Sequence, residues 1–420
     1  MTVTSSPGEG RATDRRTDGS FEPYPVARRA RAAHHQRVEP FSLYVHIPYC
    51  DSKCPYCDFN SYAVKRWPER DYRDALIAEM ATYGAEPPWR DGSVQTVFFG
   101  GGTPSLFAPE TIAALLDAAF RLWPRALPGR EITLEANPGT IDPLKLRGFA
   151  AAGVNRISFG VQSFQPRHLG QLGRIHSATD AIDAVEAAHA AGVENVNVDL
   201  MFAIPGQTVR EWEADLATAV ALRPRHISAY NLTYEDGTAF AAWRRSGALV
   251  PVPEEAEVAM FTRTRALLAA HGYAQYEISN YATPDHACAH NLNYWHAGAY
   301  LGVGAGAHSF ARVPPPGRRW GNEKAPGRYI EQVRGAGHAR VTEEALSVEQ
   351  ARGEFVFLGL RCSAGFDETV FAQRFEVDFP SAFPHAAAFV RDGFLESVDR
   401  HWRLTERGQL FADSIFATFL

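Results

Sequence analysis

From Phe41 to about Leu232 short β-branched or aromatic runs alternate with segments of helical period, and this alternation constrains the fold more than any other feature of the chain. The strand candidates are Ser42 to Ile47, Val94 to Phe99, Glu131 to Glu135, Asn155 to Phe159, Asn195 to Met201 and His226 to Asn231. Helical patterns lie between them at Asp71 to Tyr83, Pro109 to Trp123, Pro143 to Ala152, Thr179 to Ala191 and Val209 to Leu222. Strands joined by helical crossovers build a parallel sheet. Six such strands predict an α/β fold, an open and partial (β/α)6 barrel. In these sheets ligands bind where the βα loops converge, at the carboxyl ends of the strands.

The loop after the first strand candidate carries Cys50, Cys54 and Cys57, three thiols in eight residues. Iron-sulfur clusters are held by thiolates, whereas structural zinc sites are normally closed by four ligands. Three soft ligands without a fourth therefore point to a cluster with one iron left open for chemistry. The competing readings are a zinc knuckle completed by a histidine and a set of buried structural cysteines. The spacing resembles the signature of radical S-adenosylmethionine (SAM) enzymes, which implies a [4Fe-4S] cluster whose open iron is chelated by SAM.

Other candidates fall at the same barrel mouth. Gly100-Gly101-Gly102-Thr103-Pro104 follows the second strand, and glycines let backbone approach a ligand, their amides being free to bind the amino-acid part of SAM. Glu135 ends the third strand, where a carboxylate can hold ribose hydroxyls or an amine. Gln162, Arg174 and Asp199 belong to the next two units, and each could equally be a barrel polar group satisfied by its neighbours. A second cluster, Cys288 to His296 followed by Gly302, Gly304, Gly306 and His308, offers imidazoles beside Tyr294 and Trp295, as a porphyrin site would. The plainer reading is a polar loop closing the barrel, with His290 hydrogen-bonded to backbone.

Around this core the organisation reads as a disordered basic arm over 1–40, a barrel over 41–285, a barrel-closing His- and Gly-rich segment with linker over 286–345, and a C-terminal α+β domain over 346–420. The prolines of 311–327 mark a loop or linker. In the last segment a helix over Ser347 to Gly359, a pair of short strands and Thr405 as a helix cap give a winged-helix-like pattern. No basic recognition helix is visible there and the net charge is −6, so a docking or lid role is expected and no nucleic-acid partner. Five cysteines, three of them clustered, suit a reducing cytoplasm and are no disulfide framework. No apolar run is long enough to span a membrane, although the basic arm could touch an anionic surface.

Taken together, the cysteine triad, the triple glycine, Glu135 and the His290-Asn291-Leu292-Asn293-Tyr294-Trp295 run resemble the oxygen-independent coproporphyrinogen III oxidase family of radical SAM proteins, from about Phe41 to the C-terminus. A Cys two residues after the third cluster cysteine resembles the true oxidases, whereas Phe59 at that place, with the His-Asn-x-x-Tyr-Trp run, resembles the family's heme-chaperone branch. The resemblance implies cluster ligation by Cys50, Cys54 and Cys57, and SAM contacts from Tyr44, Gly101 and Glu135. It further implies that Gly102, Thr103, Gln162, Arg174 and Asp199 line the same cavity, where the oxidases hold a second SAM. Heme is the implied cargo, with His290 its candidate contact and respiratory hemoproteins its recipients; a homodimer is the remaining partner considered. The alternatives are an oxidase that decarboxylates porphyrinogen propionates and a zinc-stabilised binding module.

Overall fold

The computed structural model describes residues 40–420; the basic arm lies outside the described residues except for Pro40, which opens the first strand. Six parallel strands follow one another in space as in sequence: β1 (Pro40–Ile47), β2 (Ser93–Gly101), β3 (Glu131–Ala136), β4 (Arg156–Gln162), β5 (Asn195–Phe202) and β6 (His226–Asn231). The crossovers are α1 (Glu69–Ala85), α2 (Pro109–Leu122), α3 (Pro143–Ala151), α4 (Ala178–Ala190) and α5 (Val209–Ala221). Asp142 caps α3, while Ser177 and Thr208 close reciprocal capping boxes on α4 and α5, satisfying amides that would otherwise be orphaned at each helix start.

Period two sorts every barrel strand into two faces. Phe41, Leu43, Val45 and Ile47 of β1 join Val97 and Phe99, Ile132 and Leu134, Ile157 and Phe159, and Val196 and Val198 in one buried apolar core. Fully burying each such side chain is worth roughly 1.5–3 kcal/mol. The alternate positions place Ser42, Tyr44 and His46, Thr133 and Glu135, Arg156 and Ser158, Asn197 and Asp199, and His226 and Ser228 on the opposite face. The inner face is thus largely polar, which an ordinary barrel core would not be, with Phe98 of β2 an apolar exception beside Tyr44.

The sheet grows beyond the barrel on both sides. After α6 (Glu254–Ala270), β7 (Ala274–Glu277) and β8 (Asn280–Ala282) add antiparallel to β6. After α7 (Ala289–Trp295), β9 (Tyr300–Val303) pairs parallel with β1, and β10 (His308–Ala311), β11 (Arg318–Asn322) and, past α8 (Pro326–Ala336), β12 (Arg340–Ala345) extend it antiparallel. The proline-rich stretch 311–327, expected to be a loop or linker, therefore contains β11; Pro314, Pro315 and Pro316 sit in the turn before the strand, where no ladder amide is needed, and Pro326 opens α8.

The C-terminal part is a small α+β unit in winged-helix order: α9 (Val348–Arg361), β13 (Phe366–Asp367), three short helices, then the hairpin β14 (Leu395–Val398) and β15 (His401–Leu404). The three strands form one sheet with β15 central. Thr405 caps the next turn, its Oγ1 accepting from the Gly408 amide at 3.0 Å. Its aromatic core of Phe355, Phe371, Phe379 and Trp402 is continuous with Ala297 and Phe310 of the sheet extension. Arg361 Nε donates to buried Glu277 at 2.8 Å and its guanidinium lies 4.6 Å over the Trp295 ring, while Arg319 reaches Glu354 at 2.6 Å.

Candidate functional site

The cysteine loop leaves the carboxyl end of β1 and is closed by its own backbone. Tyr49 and Cys50 pair with Tyr62 and Ala63, and Lys53 Nζ donates to the carbonyls of Phe59 and Ser61, each at 3.1 Å. Each of two thiols is met by a donor: Thr103 Oγ1 donates to Cys50 Sγ at 3.6 Å, and Arg174 Nη1 to Cys54 Sγ at 3.5 Å. Burial pushes the Cys50 and Cys57 thiols up, Thr103 and Ser61 opposing it. Metal binding takes the proton from such thiols, so the donors are placed to stabilise the ligated sulfurs. All three cysteines are partly exposed and, like Cys288 and Cys362, free. Among the described residues no three His, Cys, Asp or Glu side chains close on a single ion. Three free thiols with no fourth ligand suit a cluster with one open iron better than a closed four-ligand zinc site.

The glycine run braces this loop. Gly102 N–H donates to Ile47 O and Thr103 N–H to Tyr49 O, both at 2.8 Å, and a Cβ at Gly102 would stand 2.6 Å from Tyr49 O. Gly101 has φ of +115° and a Cβ there would meet the His46 ring at 2.5 Å. Its amide donates to Glu135 Oε2 at 3.1 Å. The amides of Gly101, Gly102 and Thr103 are thus all used within the protein, where they hold the loop against the cysteines.

Glu135 lies on the cavity wall beside Tyr44 and Gly101. Burial and the nearby Asp199 carboxylate raise its carboxyl to about 8. Asp199, two strands further round the barrel, is held by Ser158 Oγ and Asn197 Nδ2, each at 2.8 Å. Gln162 ends β4 at a bulge, with φ of +69°. Both Gln162 and Arg174 stand over Gly160, where an added Cβ would lie 3.0 Å from Gln162 Nε2 and 3.4 Å from Arg174 Nη2. Arg174 Nη2 donates to Gly160 O at 2.6 Å, while its buried Nε has no partner among the described residues. A buried unpaired donor beside Cys54 is a place for a polar ligand. Tyr44, Gly101 and Glu135 share the main cavity, whereas Thr103, Arg174 and Cys54 line a small adjoining cleft. These residues fit a zwitterionic nucleoside cofactor such as SAM, with donors and carboxylates on one mouth.

His290 does not face the cavity. It is 1% exposed and both ring nitrogens are engaged. Thr96 Oγ1 donates to Ser42 Oγ at 2.7 Å, so it accepts from His290 Nδ1–H at 2.8 Å; Nε2 then accepts from the Tyr294 hydroxyl at 2.9 Å. Burial holds this imidazole neutral, down to about 3. Glu131 accepts from the amides of Ala289 and His290, both at 3.0 Å, and so caps α7. Asn293 accepts from Gln95 Nε2 at 2.6 Å, and Trp295 packs on Arg361. The His-Asn-x-x-Tyr-Trp run is a helix riveted to the barrel, and only its Tyr294 reaches the cavity wall. In this structure the lone pair of His290, the candidate heme contact, is taken within the protein by the Tyr294 hydroxyl.

The cavity itself, about 700 Å³, opens between the barrel mouth, the cysteine loop, β9 to β11 and α9. Sequence reasoning missed several of its walls. His46 was legible from alternation, two residues beyond Tyr44 on the same strand face; its Nε2 donates to Asn60 O and its Nδ1 accepts from the Tyr44 hydroxyl, both at 2.9 Å. Arg319, Lys324 and Arg374 had no local signal, being brought together only by the sheet extension and the C-terminal unit.

The model for the radical SAM superfamily matches residues 44–219, and that for the HemN C-terminal domain matches 346–411. The chain is 38% identical to the heme chaperone HemW of Escherichia coli over 91% of its length and 99% of that protein's. It is 36% identical to the heme chaperone HemW of Bacillus subtilis, over 90% of this chain and 99% of the other. Among solved structures, coproporphyrinogen III oxidase (HemN) from Escherichia coli, a radical SAM enzyme, superimposes with a TM-score of 0.78 at 25% identity, covering 90% of each chain. A barrel mouth with three cysteines, a fitted C-terminal unit and relatives matched over nearly their full length lead to one assignment: the chain belongs to the HemW heme chaperone family of radical SAM proteins.

Proposed function

We propose that this protein binds heme in the cavity between the barrel mouth and the C-terminal unit and hands it to recipient hemoproteins, respiratory enzymes among them. The observation that carries the reading is a cofactor-sized cavity against which Phe59 stands 60% exposed, at the position where a cysteine would resemble an oxidase. A large aromatic left in the open next to a cavity is a surface for a flat apolar ligand. The cysteines Cys50, Cys54 and Cys57 would hold a [4Fe-4S] cluster, which when bound supplies one-electron chemistry and an iron for SAM. Tyr44, Gly101 and Glu135 orient SAM on the barrel side; Gly102, Thr103, Gln162, Arg174 and Asp199 keep that side polar. The working division is a barrel over 41–285, a closing segment over 286–345 and the C-terminal unit over 346–420, acting in the cytoplasm.

The likeness to HemN keeps a second reading in view, in which the same mouth decarboxylates coproporphyrinogen III. Reconstituting the cluster anaerobically and supplying SAM, reductant and coproporphyrinogen III separates the two by mass spectrometry, with a hemin titration on the same sample. The chaperone reading expects intact propionates and saturable hemin binding. Loss of carboxyl groups, or no Soret shift with hemin, overturns it.

A further inference from the structure

Three histidines stand at or near the cavity, and their ring nitrogens are not equivalent. His46 and His290 each have the lone pair of one nitrogen taken by a tyrosine hydroxyl and the other nitrogen donating, so neither can ligate iron without dismantling its network. His308, on β10, lines the cavity and its ring makes no hydrogen bond among the described residues. It pairs in register with Gly321 of β11, and a Cβ at Gly321 would stand 3.0 Å from His308 Cε1. The glycine thus clears the space that the imidazole occupies.

We propose that His308 is the axial ligand of the heme iron in this cavity, that Lys324 and Arg374 receive the propionates, and that Phe59 and Phe310 face the porphyrin. This rests on the heme-chaperone reading above. Imidazole is a standard axial donor, and it must be neutral to coordinate. Partial burial of a side chain that stays exposed to the cavity, together with the nearby Lys324 and Arg319, lowers His308's proton affinity, which keeps the lone pair available at neutral pH. The same cations suit a ligand carrying two carboxylates. Arg319 is paired with Glu344 and Glu354, at 2.8 and 2.6 Å, and Arg374 lies over the Phe355 and Phe375 rings at 5.6 and 5.3 Å. Lys324, which follows β11, and Arg374, in the C-terminal unit, supply charge from the two sides of the cavity. One protein ligand leaves the iron's opposite face for the ligand of a recipient, so heme can leave by exchange.

The test is a hemin titration of the cluster-loaded protein, followed at the Soret band and by low-temperature EPR, for wild type, H308A, H296A and K324A. The expected result is that H308A weakens binding by at least about tenfold, the effect even outer-shell partners of a metal ligand command, and changes the spectrum. Added imidazole should then restore the wild-type Soret position in H308A, which a merely misfolded variant cannot do. H296A should bind as wild type, and K324A should lose affinity for hemin but not for hemin dimethyl ester. Wild-type Soret position and affinity in H308A overturn the ligand assignment while leaving the heme-chaperone reading intact. Equal loss for hemin and its ester in K324A overturns the propionate contact. No Soret shift in wild type removes both the ligand and the reading it rests on.

Discussion

At the residue scale the chemistry depends on donors and protons placed around a few sulfurs and oxygens. Replacing Cys50, Cys54 or Cys57 by Ala should abolish the brown absorbance of the reconstituted protein, because each is proposed to hold its own iron; full retention in any one variant excludes that residue. Glu135, raised to about 8 by burial and Asp199, is largely protonated at pH 7. Binding a cationic sulfonium and ammonium beside it favours the ionised carboxylate, so SAM binding should release a proton at pH 7 and progressively less above pH 8. Calorimetry in buffers of different ionisation enthalpy measures this, and E135Q should abolish the release. Release unchanged in E135Q removes Glu135 from the SAM site. The cysteine spacing and Glu135 were legible because local motif and strand end carry the signal. The state of His290 was not, since its partner Thr96 lies 194 positions away in the chain.

At the element scale the glycine loop and the buried end of α1 hold the mouth in shape. G102A would drive a Cβ into the backbone of Pro48 and Tyr49, so the variant should fold yet reconstitute less cluster, measured as iron and sulfide per chain; full loading would show that the loop can yield. Glu79 of α1 accepts from Gly304 N, Asn322 Nδ2 and Tyr329 Oη at 2.7 to 2.9 Å, tying that helix to the sheet extension. Burial raises its carboxyl to about 7 from an ordinary 4.5. The folded state therefore holds a proton that the unfolded chain has released between those values. That stability is complete below pH 4.5 and is lost as pH rises through 7, roughly 3 kcal/mol in all. Urea unfolding at pH 5 and pH 8 should show this fall, and E79Q should flatten it; an equal slope in E79Q would place the titration elsewhere. The six barrel strands were legible to within three residues because their period-two pattern is strong, the largest miss being the end of β4 at Gln162. β9 and β11 were not: glycines and prolines blur their pattern, and β9 is made a strand by pairing with β1.

At the scale of the whole molecule, the C-terminal unit completes the cavity and is joined to the barrel by few polar ties. R361A removes the partner of fully buried Glu277 and the cover of Trp295. Leaving that carboxylate unpaired should cost about 3 kcal/mol, the low end for a broken buried pair because Arg361 is itself partly exposed. Hydrogen exchange should find β7 and α9 deprotected together; protection unchanged would mean the unit docks through its aromatic core alone. The composition and turn signals made this unit visible in the sequence, but not its seat, which is set by Phe310 and Ala297 meeting its core. The central claim is that the assembled cavity carries heme for delivery. The most direct measurement mixes the hemin-loaded protein with heme-depleted respiratory membranes and follows recovery of oxidase activity against the same amount of free hemin. Faster recovery from the loaded protein, with the Soret band leaving the soluble fraction, is the predicted result. Recovery no faster than with free hemin would contradict the account.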